Sequence, residues 1–230
     1  MKIKAFLRPL VIQFRSSRNY LRKLLMPQSH PPIGRQPAFD PETEKWFRNR
    51  IRSSKSYLEY GTGASTLLAA DAQVPTISIE SDRAYADAVR AALPDDNLTK
   101  IVAVDIGRVE DWGYPLWRFK TVGALQKWKF YPETGPAIIK TSNRFPDLVL
   151  VDGRFRVACC LCVVKAAIEQ KQTTQILFDD YALRPQYSIV ENLLGDSEAI
   201  GRSRLFHIEP KKISLTAVQA LLNSAYSDFS

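Results

Sequence analysis

From Phe39 onward, short runs rich in Ile, Val, Leu and Tyr alternate with longer stretches of helical spacing, and few folds accept that pattern. Strands are expected at SYLEYG, PTISIE, LTKIVAVD, PDLVLVD and TTQILFDD, with helices at PETEKWFRNRI, ASTLLAADA, DRAYADAVRAAL, the apolar stretch from Asp152 to about Glu169, and QYSIVENLLG. Two late strands, about Glu198–Arg202 and Leu205–Ile208, read as an edge hairpin, and a last helix covers about Leu215–Tyr226. Strand–helix alternation builds βαβ units, so the expected architecture is α/β, a doubly wound and mostly parallel sheet with helices on both faces. In such sheets ligands bind at the carboxyl ends of the strands, near the switch in strand order.

The charge is unevenly placed. The chain of 230 residues carries a formal +8, yet its first acid is Asp40, and eight basic residues precede it. Subtracting those eight from 32 leaves 24 basic residues against 24 acidic ones, so the body is neutral and the excess is an arm. Residues 1–37 are expected to form a basic amphipathic arm and a Pro-rich linker, and residues 38–230 one domain. A cationic amphipathic helix from about Pro9 to Leu25 reads as a peripheral membrane contact through residues 1–26, as a helix docked on its own domain or a partner, or as a frayed tail. A neutral body gives no electrostatic reason for nucleic-acid binding. No apolar run approaches the ~20 residues of a membrane span. Three cysteines within Cys159–Cys162 cannot staple distant segments, which points to a reducing, cytoplasmic setting. On a helix they share no site with a histidine, so they read as packing.

The first five strands end in Glu59, Glu80, Asp105, Asp152 and Asp179. Five acids in register predict a ring round one crevice, suited to a cationic or hydroxyl-rich ligand. Between the first strand and its helix lies EYGTGAST, where Gly61 and Gly63 allow close backbone approach. Glu80 follows Gly61 by nineteen residues at the end of the next strand, where a carboxylate accepts from ribose hydroxyls. A nucleoside cofactor is the expectation. A nicotinamide dinucleotide wants a third glycine or alanine where Thr66 stands; a sulfonium cofactor suits the acids better.

EYGTGAST resembles the E/D-x-G-x-G-x-S/G motif of class I S-adenosylmethionine-dependent methyltransferases, over about Phe39 to the last residue. The resemblance implies a seven-stranded sheet of order 3-2-1-4-5-7-6 with its seventh strand antiparallel. It implies S-adenosylmethionine contacts at Glu59, Gly61, Thr62, Gly63, Ser65, Thr66, Glu80, Ser81, Asp105, Ile106 and Asp152. LVLVDG matches the fourth-strand motif facing the transferred methyl group, and ILFDDY resembles the fifth strand of small-molecule O-methyltransferases. There, acids on both strands hold a divalent cation such as Mg²⁺, here Asp152, Asp179 and Asp180. Relatives often continue the fourth-strand motif as Asp-Gly-Asp-His; here Arg154 and Phe155 stand instead.

The expected activity is therefore methyl transfer to an oxygen of a small molecule or glycan, with Asp152, Asp179 or Asp180 as the base. Arg154 and Arg156 are candidate contacts to an acceptor oxyanion, or ion-pair partners of the acids. The long crossover from Asp105 to Asp147 carries Trp112, Tyr114, Trp117, Arg118, Phe119, Lys120, Lys127, Trp128, Lys129, Phe130 and Tyr131. It reads either as a substrate lid or as core aromatics on a solvated helix. Two other functions remain open: a cofactor-binding interaction module without turnover, and an NAD-dependent oxidoreductase.

Overall fold

The computed structural model describes residues 33–95, 97–116, 119–142 and 144–229. The expected arm helix and its membrane contact lie outside the described residues, as do Trp117 and Arg118. The described residues belong to one compact unit. Packing begins before residue 38: Ile33 lies against the Leu67, Ala86 and Val89 cluster, and Pro37 is buried.

The elements run α1 (Pro41–Ile51), β1 (Tyr57–Tyr60), α2 (Ala64–Asp71), β2 (Thr76–Glu80), α3 (Arg83–Ala92), β3 (Thr99–Ala103), α4 (Val122–Ser142), β4 (Leu148–Val151), α5 (Arg156–Gln170), β5 (Thr174–Phe178), α6 (Glu191–Leu194), β6 (Glu198–Ile200), β7 (Ser203–Ile208) and α7 (Leu215–Ala225). The seven strands form one sheet of order β3-β2-β1-β4-β5-β7-β6, the order the resemblance implied. Four ladders are parallel. The other two are antiparallel and both belong to β7, so the sheet is mixed. The expected helix QYSIVENLLG divides into a 3-10 segment, Pro185–Val190, and the single turn of α6. Pro185 sets its start, and β-branched Ile189 and Val190 weaken regular helix.

Alternation along the strands assigns the faces. Leu58, Tyr60, Val149, Val151, Ile176 and Phe178 pack in a core with residues of α4, α5 and α7. Tyr57, Leu148, Leu150 and Leu177 point the other way, into a core with Phe47 and Ile51 of α1. Glu59 shares the second face by register.

Helix α4 carries Pro132 and Pro136 in its interior. Pro136 lacks the N–H that would have bonded the Pro132 carbonyl. The Tyr60 hydroxyl supplies that bond instead, at 2.7 Å and buried. Gly135 makes room for it, since a Cβ there would lie 2.6 Å from the Tyr60 oxygen. Sequence and packing thus seat α4 over the centre of the sheet, with Trp128 and Tyr131 buried in its underside. For these two aromatics the core reading holds; Trp112, Phe119 and Phe130 are exposed.

At the far side, Asp40 caps α1 through the N–H groups of Glu42 and Thr43, and also accepts from the Arg202 N–H at 3.0 Å. Thr43 donates to the Ile200 carbonyl at 2.8 Å. These bonds clasp α1 to the β6–β7 turn. Burial pushes the Asp40 pKa up, but hydrogen bonds from Thr43, Arg202 and Glu42 together outweigh it and bring the pKa down to about 2. Because the folded value lies below the ordinary 3.8, the carboxylate contributes stability above about pH 4 and loses it as pH falls towards 2. Asp40→Ala should cost about 1–2 kcal/mol in urea denaturation at neutral pH, the usual cost of a lost cap. The difference from wild type should shrink below about pH 3.

Candidate functional site

The loop after β1 lies where the strand order turns. Gly61 has φ +98°, and a Cβ there would sit 2.8 Å from the Asp152 carbonyl carbon. The loop backbone therefore presses on the Asp152–Gly153 backbone, and only glycine allows that approach. Gly63 is extended. The nearest atom to a Cβ placed on it would be the Tyr85 hydroxyl oxygen, at 3.5 Å, so the loop keeps an open flank.

Glu59, fully buried, accepts from the hydroxyls of Tyr57 at 2.8 Å and Ser65 at 2.7 Å, and from Thr66. Burial raises its pKa against the pull of those hydroxyls. Thr66 also accepts from the Gly63 N–H at 2.9 Å. Glu59, Ser65 and Thr66 thus brace the loop against α2. Glu80 closes the other side. Its Oε1 accepts from Ser81 N–H, Asp82 N–H and the Ser81 hydroxyl, and its Oε2 from Thr62 N–H at 3.1 Å. A carboxylate oxygen takes about two donors, so Oε2 retains capacity towards a hydroxyl. Burial raises the Glu80 pKa.

The expected ring of five acids is not formed. Asp105 is exposed, paired with Lys127 at 2.7 Å and capping the Gly107 N–H; the Lys127 bond leads in lowering its pKa. Ile106 beside it is buried. Among the described residues the group with metal-ligand spacing is Asp152, Asp179 and Asp180, with ligand atoms within 4.8 Å of one another. Arginines already answer it. Arg156, 3% exposed, meets Asp152 at 2.9 Å and Asp180 at 3.4 Å, and it donates to the carbonyls of Gly153 and Asp179. Arg202 meets Asp180 at 2.8 Å and Asp179 at 3.1 Å, and Arg184 lies 3.7 Å from Asp180. Ser203 also donates to Asp179 at 2.7 Å. A divalent cation would enter beside a buried guanidinium and displace these pairs, so the residues do not fit a Mg²⁺ site. Burial is the largest influence on Asp152 and raises its pKa to about 7; Arg156 opposes, and Asp179 and Asp180 add.

The two candidate arginines separate here. Arg156 is a brace within the cluster. Arg154 turns away, with its guanidinium carbon 4.0 Å from the Tyr114 ring centroid. Phe155 between them is left-handed, φ +55°, and buried against Trp128, Tyr131 and Phe229. Trp112 (φ +64°) and Asp180 (φ +56°) are also left-handed. Non-glycine residues there cost about 1–2 kcal/mol each and cluster at functional sites. All three cysteines are free and buried, and burial pushes their pKa values up, Cys162 to about 12. They are packing, as expected.

Comparison with solved structures now decides the family. A crystal structure of a methyltransferase-like protein from Silicibacter pomeroyi matches with 34% identity and a TM-score of 0.70, over 84% of this chain and 97% of that one. This chain belongs to the same methyltransferase-like family. A hypothetical protein from Thermus thermophilus, at 13% identity and a TM-score of 0.41 over 80% of this chain and 94% of that one, carries no argument. No family model and no curated protein matches. For a methyltransferase-like chain, sequence reasoning found the glycine loop and the strand-end acids. It missed Arg184 and Arg202, and gave Tyr114 no role of its own. The signal for the arginines was indirect: three clustered acids on a neutral body require nearby cations.

Two measurements follow. Gly61→Ala should destabilise the methyltransferase-like domain by about 2 kcal/mol or more through its backbone conformation and clash, while Gly63→Ala should cost about 1 kcal/mol or less; chemical denaturation compares them. Millimolar MgCl₂ should leave the melting temperature unchanged in a thermal scan.

Proposed function

We propose that this chain is a class I S-adenosylmethionine-dependent methyltransferase acting on an oxygen of a small-molecule or glycan acceptor. The observation that carries the reading is the convergence of three strand ends on one loop. Gly61 abuts Asp152–Gly153, and Glu80 holds the Thr62 N–H. Gly61, Thr62 and Gly63 would line the cofactor, Glu80 and Ser81 would meet its ribose, and Asp105–Ile106 would border its base. When bound, S-adenosylmethionine supplies an electrophilic methyl group.

The chain's own contribution is orientation and proton removal. Asp152, with a pKa of about 7, is matched to accept a proton from an acceptor hydroxyl at neutral pH. Arg156 holds that carboxylate in place, and Asp179 and Asp180 hold the arginines. The reading as a cofactor-binding module without turnover draws on the same pair, because Asp152 is already engaged by Arg156.

Calorimetry with S-adenosylhomocysteine should show binding, and Glu80→Gln should weaken it about tenfold, roughly 1.4 kcal/mol. Binding of NADH in its place would overturn the reading. In a methyl-transfer screen against sugars and phenols, the rate should fall as pH drops below about 7, because only the deprotonated Asp152 can accept the proton. Cofactor binding with no turnover on any acceptor would favour the module.

A further inference from the structure

Four guanidiniums, those of Arg154, Arg156, Arg184 and Arg202, stand round the carboxyl ends of β4 and β5. Three carboxylates answer them, and every one of the ion pairs goes to Arg156, Arg202 or Arg184. Arg154 has no carboxylate partner among the described residues, although it is 5% exposed. Its Nε is buried without a hydrogen bond, one terminal nitrogen reaches the Phe229 carbonyl at 3.5 Å, and the side chain also meets Tyr114. Glu80 lies on the same side, with its oxygens turned to the N–H groups of Thr62, Ser81 and Asp82. A buried guanidinium with no carboxylate partner is costly unless an anion completes it.

Tyr114 shows where such an anion would sit. Its ring stacks on Arg154, and its hydroxyl lies 3.5 Å from the Arg184 guanidinium. Two cations from different strand ends therefore converge on one tyrosine, Arg154 on its ring and Arg184 on its hydroxyl. Despite burial, which raises it, the Tyr114 pKa is lowered by Arg184 and Arg154 together. The tyrosine rides on a loop with left-handed backbone at Gly107, Trp112 and Gly113. A Cβ at Gly113 would lie 3.7 Å from both the Arg154 Cγ and the Glu80 Oε1, so this loop spans from the β2 end to the β4 end.

We propose that Arg154 and Arg184, with the Tyr114 loop over them, form a binding site for a carboxylate or phosphate group carried by the methyl acceptor. The assignment to the acceptor rests on the methyl-transfer reading; the oxyanion site itself does not. Guanidinium forks match the planar or tetrahedral oxygens of such groups. The acceptor class is thereby narrowed to acidic molecules, such as a uronic acid, a sugar phosphate or a phenolic acid.

Inorganic phosphate is the probe, titrated by calorimetry into wild type, Arg154→Gln, Arg184→Gln and the remote control Arg48→Gln. S-adenosylhomocysteine is titrated into the same four proteins. Phosphate affinity should fall about tenfold or more in the Arg154 and Arg184 variants and hold in the control, with S-adenosylhomocysteine affinity within about twofold throughout. If S-adenosylhomocysteine affinity falls tenfold while phosphate affinity does not change, the oxyanion is the cofactor's own carboxylate and the acceptor assignment is overturned. Equal phosphate binding by all four proteins, or none by wild type, overturns the site. Phosphate loss in a protein that never binds S-adenosylhomocysteine sinks the methyltransferase reading and the acceptor assignment, and leaves the oxyanion site standing. Should Arg154→Gln fail to fold, the variant at the partly exposed Arg184 carries the test, and Arg154→Lys should recover part of the affinity.

Discussion

A carboxyl group with no exposed surface, that of Glu59, sits in the interior strand β1, and the region round it is arranged to meet it. Glu59 cannot reach water, so it must be hydrogen-bonded where it stands. Tyr57 on its own strand and Ser65 and Thr66 on α2 provide the donors. Those bonds fix the first turn of α2 against β1, and so fix the curvature of the loop between them. Gly61 then lies against Asp152–Gly153, and Thr62 presents its N–H to Glu80. The geometry of the loop is set from below, by the buried Glu59 and the hydroxyls bonded to it.

A second layer is set by charge. Asp152, Asp179 and Asp180 crowd within 4.8 Å, an arrangement that demands cations. A divalent metal is one answer. Here guanidiniums brought from the start of α5, the segment after β5 and the β6–β7 turn are another. The substitution has a chemical consequence. In the proposed reaction a metal would polarise an acceptor oxygen directly, whereas arginines would orient the carboxylates and leave proton transfer to one of them.

Much of this was legible in the amino-acid sequence. Strand and helix alternation showed the layers, and the glycine loop with Glu80 marked the crevice, because both are local patterns. What was not legible depended on partners far apart in the chain. Glu59 looked like a ligand for a cation until Ser65 and Thr66 turned onto it. Asp105 looked like a member of a ring until Lys127 claimed it at the surface. Arg184 and Arg202 lie beside a 3-10 segment and in a turn, with no periodicity to mark them. Arg154 and Arg156 were indistinguishable two residues apart; the left-handed Phe155 between them sends one into the acidic cluster and the other under Tyr114.

The clasp between α1 and the β6–β7 turn has a kinetic meaning. Asp40 and Thr43 bond residues roughly 160 positions later in the chain, and the buried Asp179 is satisfied by Ser203 and Arg202 from that same late hairpin. Contacts of such long range are slow to form, because a large loop must close before they contribute. A chain emerging from the ribosome can lay down β1 to β5 and still hold an unanswered carboxylate and an open edge at β5. Only when β7 inserts antiparallel beside it is Asp179 answered and the first helix locked. The last hairpin therefore completes the acidic cluster: a chain without it has the five parallel-paired strands but leaves the buried Asp179 without its arginine and serine.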